Sequence, residues 1–303
     1  MANITAKMVA ELRAKTGAGM MDCKKALTET EGDMEQAVDL LRKKGLSAAA
    51  KKAGRVAAEG LVAAASDAKS CAVVEVNSET DFVAKNDAFK AFVEGVCQTV
   101  LEKNPENLEA LLALPFPGTG RTVSEEQTHQ IATIGENISI RRFERTEVPA
   151  GVVASYVHGN GKIGVSVSLA TQSSDEAVST LARQLAMHVA AANPQYLKRE
   201  QVPAAVVDKE KEIMRAKALD SGKPEKILDK IIEGQINKFF GEVCLLEQVY
   251  VIDTDKKVSQ VVQELARQIG SEVELTGFVR YQLGEGIEKR EDDFAAEVAS
   301  MTH

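Results

Sequence analysis

The sequence predicts an α+β protein with a helical N-terminal domain, two related α+β subdomains and an inserted pair of long helices. Three observations support this prediction: helical periodicity at both ends of the chain, an internal repeat between them, and a low aromatic content. Aromatic residues make up 4% of the 303 residues and tryptophan is absent, which favours helix-rich packing by Ala, Val, Leu and Ile.

Residues 1–54 are predicted to form a domain of three short helices. Thr5 can cap the first helix, and the glycines of "TGAG" end it after three apolar residues that share one face: Met8, Val9 and Leu12. The second helix carries Met21 to Thr28, and Asp33 is expected to cap a third that ends at Gly45. The Ala- and Lys-rich segment that follows is expected to be a linker or an exposed helix.

The middle of the chain contains a degenerate repeat. Segments that begin at Gly60 and Gly151 align without a gap, and each has the pattern strand, turn, strand and helix. Five further pairs are identical: Val62 and Val153, Ala63 and Ala154, Val74 and Val165, Val76 and Val167, Thr80 and Thr171. We therefore predict two pseudo-symmetric core subdomains, which comprise residues 55–147 and residues 148–200 with 245–284.

Residues 201–244 are predicted to form an antiparallel helical hairpin that is inserted into the second subdomain. The turn is placed at "SGKP", and the second arm carries an apolar stripe from Ile227 to Phe239. This stripe could close within the chain or pair with a second copy, and the sequence leaves a homodimer through the hairpin open. A strand "QVYVID", a helix Val258 to Ile269 and a strand "EVELTGFVRYQ" are expected next. Residues 285–303 are predicted to form a C-terminal helix.

Charge and cysteine usage limit the classes of partner. The net charge of −8 disfavours direct binding of nucleic acid, because a polyanion is held mainly by Lys and Arg, and a protein partner is the better expectation. The four cysteines are widely separated and include no CxxC pair, so we predict reduced thiols and no metal site: Cys23, Cys71, Cys97 and Cys244. Without a signal peptide or a long apolar run, a cytoplasmic protein that avoids membranes is expected.

Motifs for catalysis or cofactor binding are missing from the sequence. The glycine-rich segments "TGAGMM" and "HGNGKIG" fit neither a phosphate-binding loop nor a dinucleotide-binding motif. The histidines lie far apart and form no zinc-binding pattern. We therefore predict that the chain is not an enzyme and needs no cofactor. A basic cluster from Arg42 to Arg55 has no interleaved aromatic residues, so it is interpreted as a solvated surface.

Two apolar features have both a structural and a functional interpretation. The adjacent Met20 and Met21 can be ordinary core, which their spacing favours, or an adaptable contact surface. Phe82 follows a strand and would usually fill the core. The second repeat, however, has Gln172 and Ser173 in place of Asp81 and Phe82, so the scaffold itself needs no aromatic residue there. Phe82 is therefore a candidate protruding wedge on a loop.

Five blocks of sequence together resemble the bacterial elongation factor Ts family, in register over essentially the whole chain: "MVAELRAKTGAGMMDCKKAL", "NSETDFVAKND", "IGENISIRRFER", "AMHVAAANPQYL" and "GEGIEKREDDFAAEVA". The family comprises guanine-nucleotide exchange factors for elongation factor Tu, the GTPase that delivers aminoacyl-tRNA to the ribosome. The resemblance implies an N-terminal domain similar to ubiquitin-associated domains, a two-part core, a coiled-coil hairpin and a C-terminal helical module. The stretch "LLALPFPGTGRTVSEE" matches no family motif and is expected to be a lineage-specific loop.

The resemblance also implies which residues contact Tu. The "TDFV" segment is implied to enter the GTPase domain of Tu near its magnesium site: Thr80, Asp81, Phe82 and Val83. Residues of the N-terminal domain are implied to contact the same domain of Tu, with two lysines in matching basic segments: Arg13, Met20, Met21, Lys24 and Lys52. His188 in "AMHVAA" is implied to lie in the contact region of the second subdomain. An adaptor that holds Tu without driving exchange is the alternative.

Overall fold

The computed structural model describes residues 4–221 and 225–288. The chain divides into two compact units, which are described separately: Met1–Ala63 with Val74–Phe143 and Gln282–His303, and Ala64–Val73 with Glu144–Tyr281. The five predicted segments are a different division, and their boundaries stay predictions. Predicted features at residues 222–224 and 289–303, the tip of the hairpin and most of the C-terminal helix, lie outside the described residues.

The secondary structure is mixed, in agreement with the predicted α+β class. The described helices are, in chain order, α1 (Ala6–Thr16), α2 (Met20–Glu29), α3 (Met34–Lys52), α4 (Asp81–Ala84), α5 (Asp87–Lys103), α6 (Leu108–Ala113), α7 (Val123–Ile134), α8 (Glu176–Ala192), α9 (Ala204–Asp220), α10 (Glu225–Val243) and α11 (Val258–Ile269). The described strands are β1 (Glu59–Ser66), β2 (Ser70–Ser78), β3 (Ile138–Glu147), β4 (Gly151–His158), β5 (Ile163–Ala170) and β6 (Glu274–Gln282). They form two sheets with the orders β1-β2-β3 and β4-β5-β6.

The three predicted N-terminal helices are present. The Thr5 hydroxyl accepts a hydrogen bond from the Met8 N–H, Gly17 ends α1 in the left-handed region, and the Asp33 carboxylate caps α3. Their apolar faces meet in a small core of Val9, Leu12, Cys23, Ala26, Leu27 and Ala37.

The predicted end of the third helix at Gly45 is wrong, because α3 continues to Lys52. Gly45 is buried, and a Cβ there would lie 3.5 Å from the Ala132 Cβ and 3.8 Å from the Thr128 Cγ2 of α7. These are ordinary contact distances, so Gly45 lies inside the helix at its contact with α7 and does not supply the positive φ of a helix terminus. Of the segment expected to be a linker or an exposed helix, residues 46–52 are the last part of α3 and the rest leads into β1.

The repeat is confirmed at the level of its elements. Each copy contributes two strands and a helix, β1-β2-α5 in the first and β4-β5-α8 in the second. The apolar positions of both helices are buried as predicted: Phe89, Phe92, Val93, Val96 and Val100 in α5, and Val178, Leu181, Leu185 and Val189 in α8. Gly60 and Gly151 have φ values of +123° and +130°, and a Cβ at either would collide with the carbonyl oxygen of Val76 or Leu169. Glycine is therefore required at both equivalent positions, because any side chain would collide with the backbone of the neighbouring strand.

The second sheet is built on the predicted hairpin. Strands β4 and β5 pair antiparallel from Gly151 opposite Ala170 to His158 opposite Ile163, with "GNGK" as the connecting turn. The segment "QVYVID", however, is not a strand. A 3-10 turn, Leu245–Glu247, precedes it, and only Val249 forms an isolated bridge, to Lys257. The Tyr250 N–H donates to the Lys256 carbonyl at 2.8 Å and closes a tight loop. Its residues alternate between buried and exposed as in a strand, but their pairing is limited to this short loop.

The predicted helical hairpin is present as α9 and α10. Leu228, Ile232 and Ile236 of the second arm are buried in a cluster with Ala218 of the first arm. This part of the predicted stripe therefore closes within the chain, and a homodimer through the hairpin stays a prediction. Among the helices in residues 4–221 and 225–288, none is long and apolar enough to cross a membrane.

The segment expected to be a lineage-specific loop is ordered within the first unit. Pro115 forms a bridge with Thr122, and the Phe116 ring stacks on the Phe92 ring with 5.7 Å between centroids. Thr122 and Glu125 then form a capping box that begins α7. The segment thus contributes Phe116 to the core and fixes the start of a helix.

A buried carboxylate fixes the chain that follows β6. Glu75 of β2 accepts hydrogen bonds from Arg141, at 3.0 Å, from Arg142, at 2.6 Å, and from the Gly284 N–H, at 2.8 Å. Burial by itself would raise the pKa of Glu75, but the Gly284 N–H and the two guanidinium groups outweigh it and hold the pKa below the ordinary value of 4.5. Residues 282–285 are held to the first unit by this charge cluster.

Candidate functional site

The "TDFV" segment forms a single exposed helical turn directly after β2. Thr80 is the N-cap of α4, Val83 is buried beneath it, and the Phe82 side chain is 77% exposed. The core interpretation of Phe82 is therefore wrong. A large aromatic ring in water, next to a residue that anchors the turn by its burial, is suited to contact another molecule.

A charge pair lies beside the exposed ring. The Lys85 ammonium is 2.9 Å from the Asp81 carboxylate and 5.4 Å from the centroid of the Phe82 ring. Both charged side chains are exposed, so the pair contributes about 0 to 1 kcal/mol and can be exchanged for contacts with another protein. The tip of the turn presents an aromatic ring, a carboxylate and an ammonium group within a few ångströms.

The base of this turn is held by a second turn, Gly135–Asn137, between α7 and β3. Both carboxylate oxygens of Glu136 accept hydrogen bonds from Thr80, and the Asn137 N–H donates to the Glu79 carboxylate at 2.5 Å. Sequence reasoning missed these partners, although they lie in the family block "IGENISIRRFER". A hydrogen-bond pair separated by 56 residues leaves no periodic signal.

The N-terminal domain carries a separate exposed surface. Met20 and Met21 begin α2 and are 60% and 62% exposed, so the core interpretation of this pair is also wrong. The core side of α2 is formed by Cys23, Ala26 and Leu27 instead. The methionines line one surface cavity with Arg13 and Lys24, whereas Lys52, in the last turn of α3, does not line it. The structure thus brings four of the five implied residues together.

His188 does not lie on a surface. Its side chain is completely buried in α8, its Nε2 lies 2.9 Å from the Gln248 Oε1, and its Nδ1 accepts a hydrogen bond from the Val251 N–H at 3.2 Å. Burial lowers the pKa of His188, so the ring is neutral near pH 7 with its proton on Nε2. The assignment of His188 to the contact region stays a prediction, but its own side chain is buried in this conformation.

His188 instead supports an exposed apolar loop. Val249, Val251 and Ile252 are exposed, while Tyr250 between them is buried and its hydroxyl donates to Gln184 at 3.1 Å. The sequence signal for this surface is "VYVI", whose alternation predicts a strand. It is a third candidate contact surface, near the position implied for His188.

Comparison with known proteins assigns the chain. The family model described as "Elongation factor TS" matches residues 79–285. Elongation factor Ts of Syntrophotalea carbinolica is 67% identical over 300 residues, covering 99% of both chains. Elongation factor Ts of Trichlorobacter lovleyi is 57% identical over 304 residues, covering 98% of both. The chain belongs to the elongation factor Ts family.

Membership in the elongation factor Ts family makes the chain an elongation factor of protein biosynthesis, as predicted. The matched range of the elongation factor Ts model begins at Glu79, so it includes the exposed turn, Glu136 and the apolar loop. The N-terminal surface lies before that range but within the span aligned to the two relatives. Within residues 4–221 and 225–288, no three His, Cys, Asp or Glu side chains are grouped to hold a metal ion.

Proposed function

We propose that this elongation factor Ts family member is a guanine-nucleotide exchange factor for elongation factor Tu. It binds Tu·GDP and inserts the Thr80–Val83 turn near the magnesium and phosphate site of Tu. The nucleotide then leaves, and GTP later displaces the factor. The observation that supports this proposal is the 77% exposure of Phe82 on a turn whose base is held by hydrogen bonds.

Thermodynamic linkage decides how the turn can act. A factor that weakens GDP binding must itself be weakened by GDP to the same extent, because both share one cycle. If Tu binds GDP at nanomolar affinity, about 12 kcal/mol must be offset, and burial of one phenylalanine supplies about 2 to 3 kcal/mol. Phe82 therefore displaces elements of Tu that hold magnesium and phosphate, while other surfaces supply most of the affinity.

Two surfaces are suited to that anchoring role. The Met20 and Met21 side chains are flexible and polarisable, with Arg13 and Lys24 beside them for charge recognition. The loop with Val251 and Ile252 offers exposed apolar area in the other unit. Each is assigned to a contact with Tu as part of this proposal.

The test follows release of fluorescent GDP from Tu in excess unlabelled nucleotide with catalytic amounts of this protein. Acceleration that turns over many molecules of Tu is expected. Stable binding to Tu with no acceleration would contradict exchange and support the alternative, an adaptor that holds Tu. A control with this protein added to nucleotide-free Tu measures binding separately from release.

A further inference from the structure

Both carboxylate oxygens of Glu136 accept hydrogen bonds from Thr80. Its Oε2 accepts the Thr80 N–H at 2.9 Å, and its Oε1 accepts the Thr80 hydroxyl at 2.6 Å. Both bonds are charge-assisted, which makes them stronger than bonds between neutral groups. Two bonds from one carboxylate fix the direction as well as the position of the residue that precedes Asp81.

The capping pattern of α4 shows that this contact replaces a local one. Threonine at an N-cap normally accepts a hydrogen bond from a backbone N–H two or three residues later. Thr80 is the N-cap of α4 but makes no such side-chain bond. Its hydroxyl faces Glu136 instead, so the start of the turn is set by a residue 56 positions away.

Neighbouring contacts complete a rigid base. The Ser78 hydroxyl donates to the Thr80 carbonyl at 3.0 Å, and the Asn137 side chain donates to the Arg55 carbonyl at 2.8 Å. Gly135 ends α7 with φ +88°, a conformation that turns the chain so that Glu136 follows the helix directly. The residues before Asp81 are thus held from several sides, whereas Phe82 beyond them is exposed.

We propose that Glu136 is a positioning residue for exchange: it holds the turn so that Asp81 and Phe82 approach the nucleotide site of Tu in one direction. This inference rests on the proposed exchange function. A rigid base lets the energy of docking displace parts of Tu, whereas a loose turn would yield to them. Loss of the hydrogen bonds between Glu136 and Thr80 is therefore expected to slow GDP release more than it weakens binding to Tu.

The test compares Glu136→Ala with wild type in fluorescent GDP release, measured as a function of factor concentration. The maximal release rate is expected to fall about tenfold or more, within the range that a misplacement of about 1 Å causes. The half-saturating concentration is expected to stay within about twofold, because the anchoring surfaces are intact. Glu136→Gln should restore part of the rate, because its amide oxygen can still accept the Thr80 N–H.

Thr80→Val and Thr80→Ser test the same contact from its other side. Valine removes the hydroxyl and should slow release, whereas serine keeps it and should restore the rate; these variants also decide the matter if Glu136→Ala does not fold. Glu94→Ala, on the exposed side of α5, is the matched control. An unchanged maximal rate for Glu136→Ala, or equal losses of rate and affinity, would overturn the positioning role. If wild type itself does not accelerate release, the proposed function fails instead.

Discussion

At the scale of one residue, replacement of Phe82 tests whether the turn acts on GDP release or on the affinity for Tu. Phe82→Ala removes the exposed ring but leaves the Glu136 contact with Thr80 in place. The maximal rate of GDP release is expected to fall by an order of magnitude or more, while the affinity for Tu falls by a much smaller factor, because other surfaces supply most of the affinity. Stopped-flow release and equilibrium binding to nucleotide-free Tu measure the two quantities.

A matched control separates this effect from general loss of apolar surface. Leu108 is another exposed apolar residue of the same unit, on α6, so Leu108→Ala is expected to change neither quantity. Equal losses of rate and affinity in Phe82→Ala would identify Phe82 as an ordinary anchoring residue. A variant that binds as well and releases GDP as fast as wild type would remove the turn from the mechanism.

The limits of sequence reasoning are clearest for the same residues. Comparison of the two repeats indicates that the scaffold does not require Phe82, and the structure places it in solvent. Glu136 has no comparable signal, because its partner is distant in sequence. The resemblance implies His188 as a contact residue through the block "AMHVAA". Its side chain is buried in α8, and the exposed side chains nearby are those of the loop that it supports.

At the scale of elements, the contact between α3 and α7 has room at Gly45 for a methyl group but not for a large side chain. A Cβ there meets Ala132 and Thr128 at ordinary contact distances of 3.5 and 3.8 Å. Gly45→Ala is therefore expected to be neutral or to stabilise by up to about 1 kcal/mol, because alanine favours helices. Gly45→Leu is expected to destabilise by about 1 to 3 kcal/mol through overpacking. Urea unfolding followed by circular dichroism measures both.

Gly234 provides the comparison for this prediction. It lies inside α10, and a Cβ at this position would meet no neighbouring atom within 4 Å, so Gly234→Ala should stabilise its helix through propensity alone. Gly234→Leu should likewise be tolerated. A Gly45→Leu variant as stable as wild type would show that α3 and α7 do not depend on close packing at this point.

Elements with strong periodicity were predictable, and those defined by distant contacts were not. The burial of the α5 and α8 stripes and the bounds of α11 follow from apolar spacing. The end of α3 was misplaced because a glycine inside a helix resembles a terminator until its packing partner is known. The sequence pattern does not predict strand β3, because the adjacent charged residues Arg141 and Arg142 interrupt the alternation of polar and apolar residues. Both arginines donate hydrogen bonds to the buried Glu75 carboxylate.

At the scale of the whole molecule, buried and partly buried titratable groups predict two pH ranges in which stability changes. Burial lowers the pKa of His188, and burial with the nearby Arg121 outweighs Glu126 to lower the pKa of His129, each below the ordinary value of 6.5. A lowered pKa means that the unfolded chain binds protons first, so the stabilising contribution is present above pH 6.5 and is lost as pH falls through the folded-state pKa. Glu75 adds a second loss, which begins only below its ordinary value of 4.5.

The expected result is a free energy of unfolding that falls between about pH 7 and pH 5, by at most about 1.4 kcal/mol per pH unit for each histidine. The double variant His129→Gln, His188→Gln should lose this dependence but keep the steeper loss below about pH 4.5, where carboxylates are protonated. Denaturant unfolding at half-unit steps of pH measures both curves. If the double variant kept the full slope over the same range, His129 and His188 would not be its source. The neutral state in which His188 accepts the Val251 N–H would then make no measurable contribution to the free energy of unfolding.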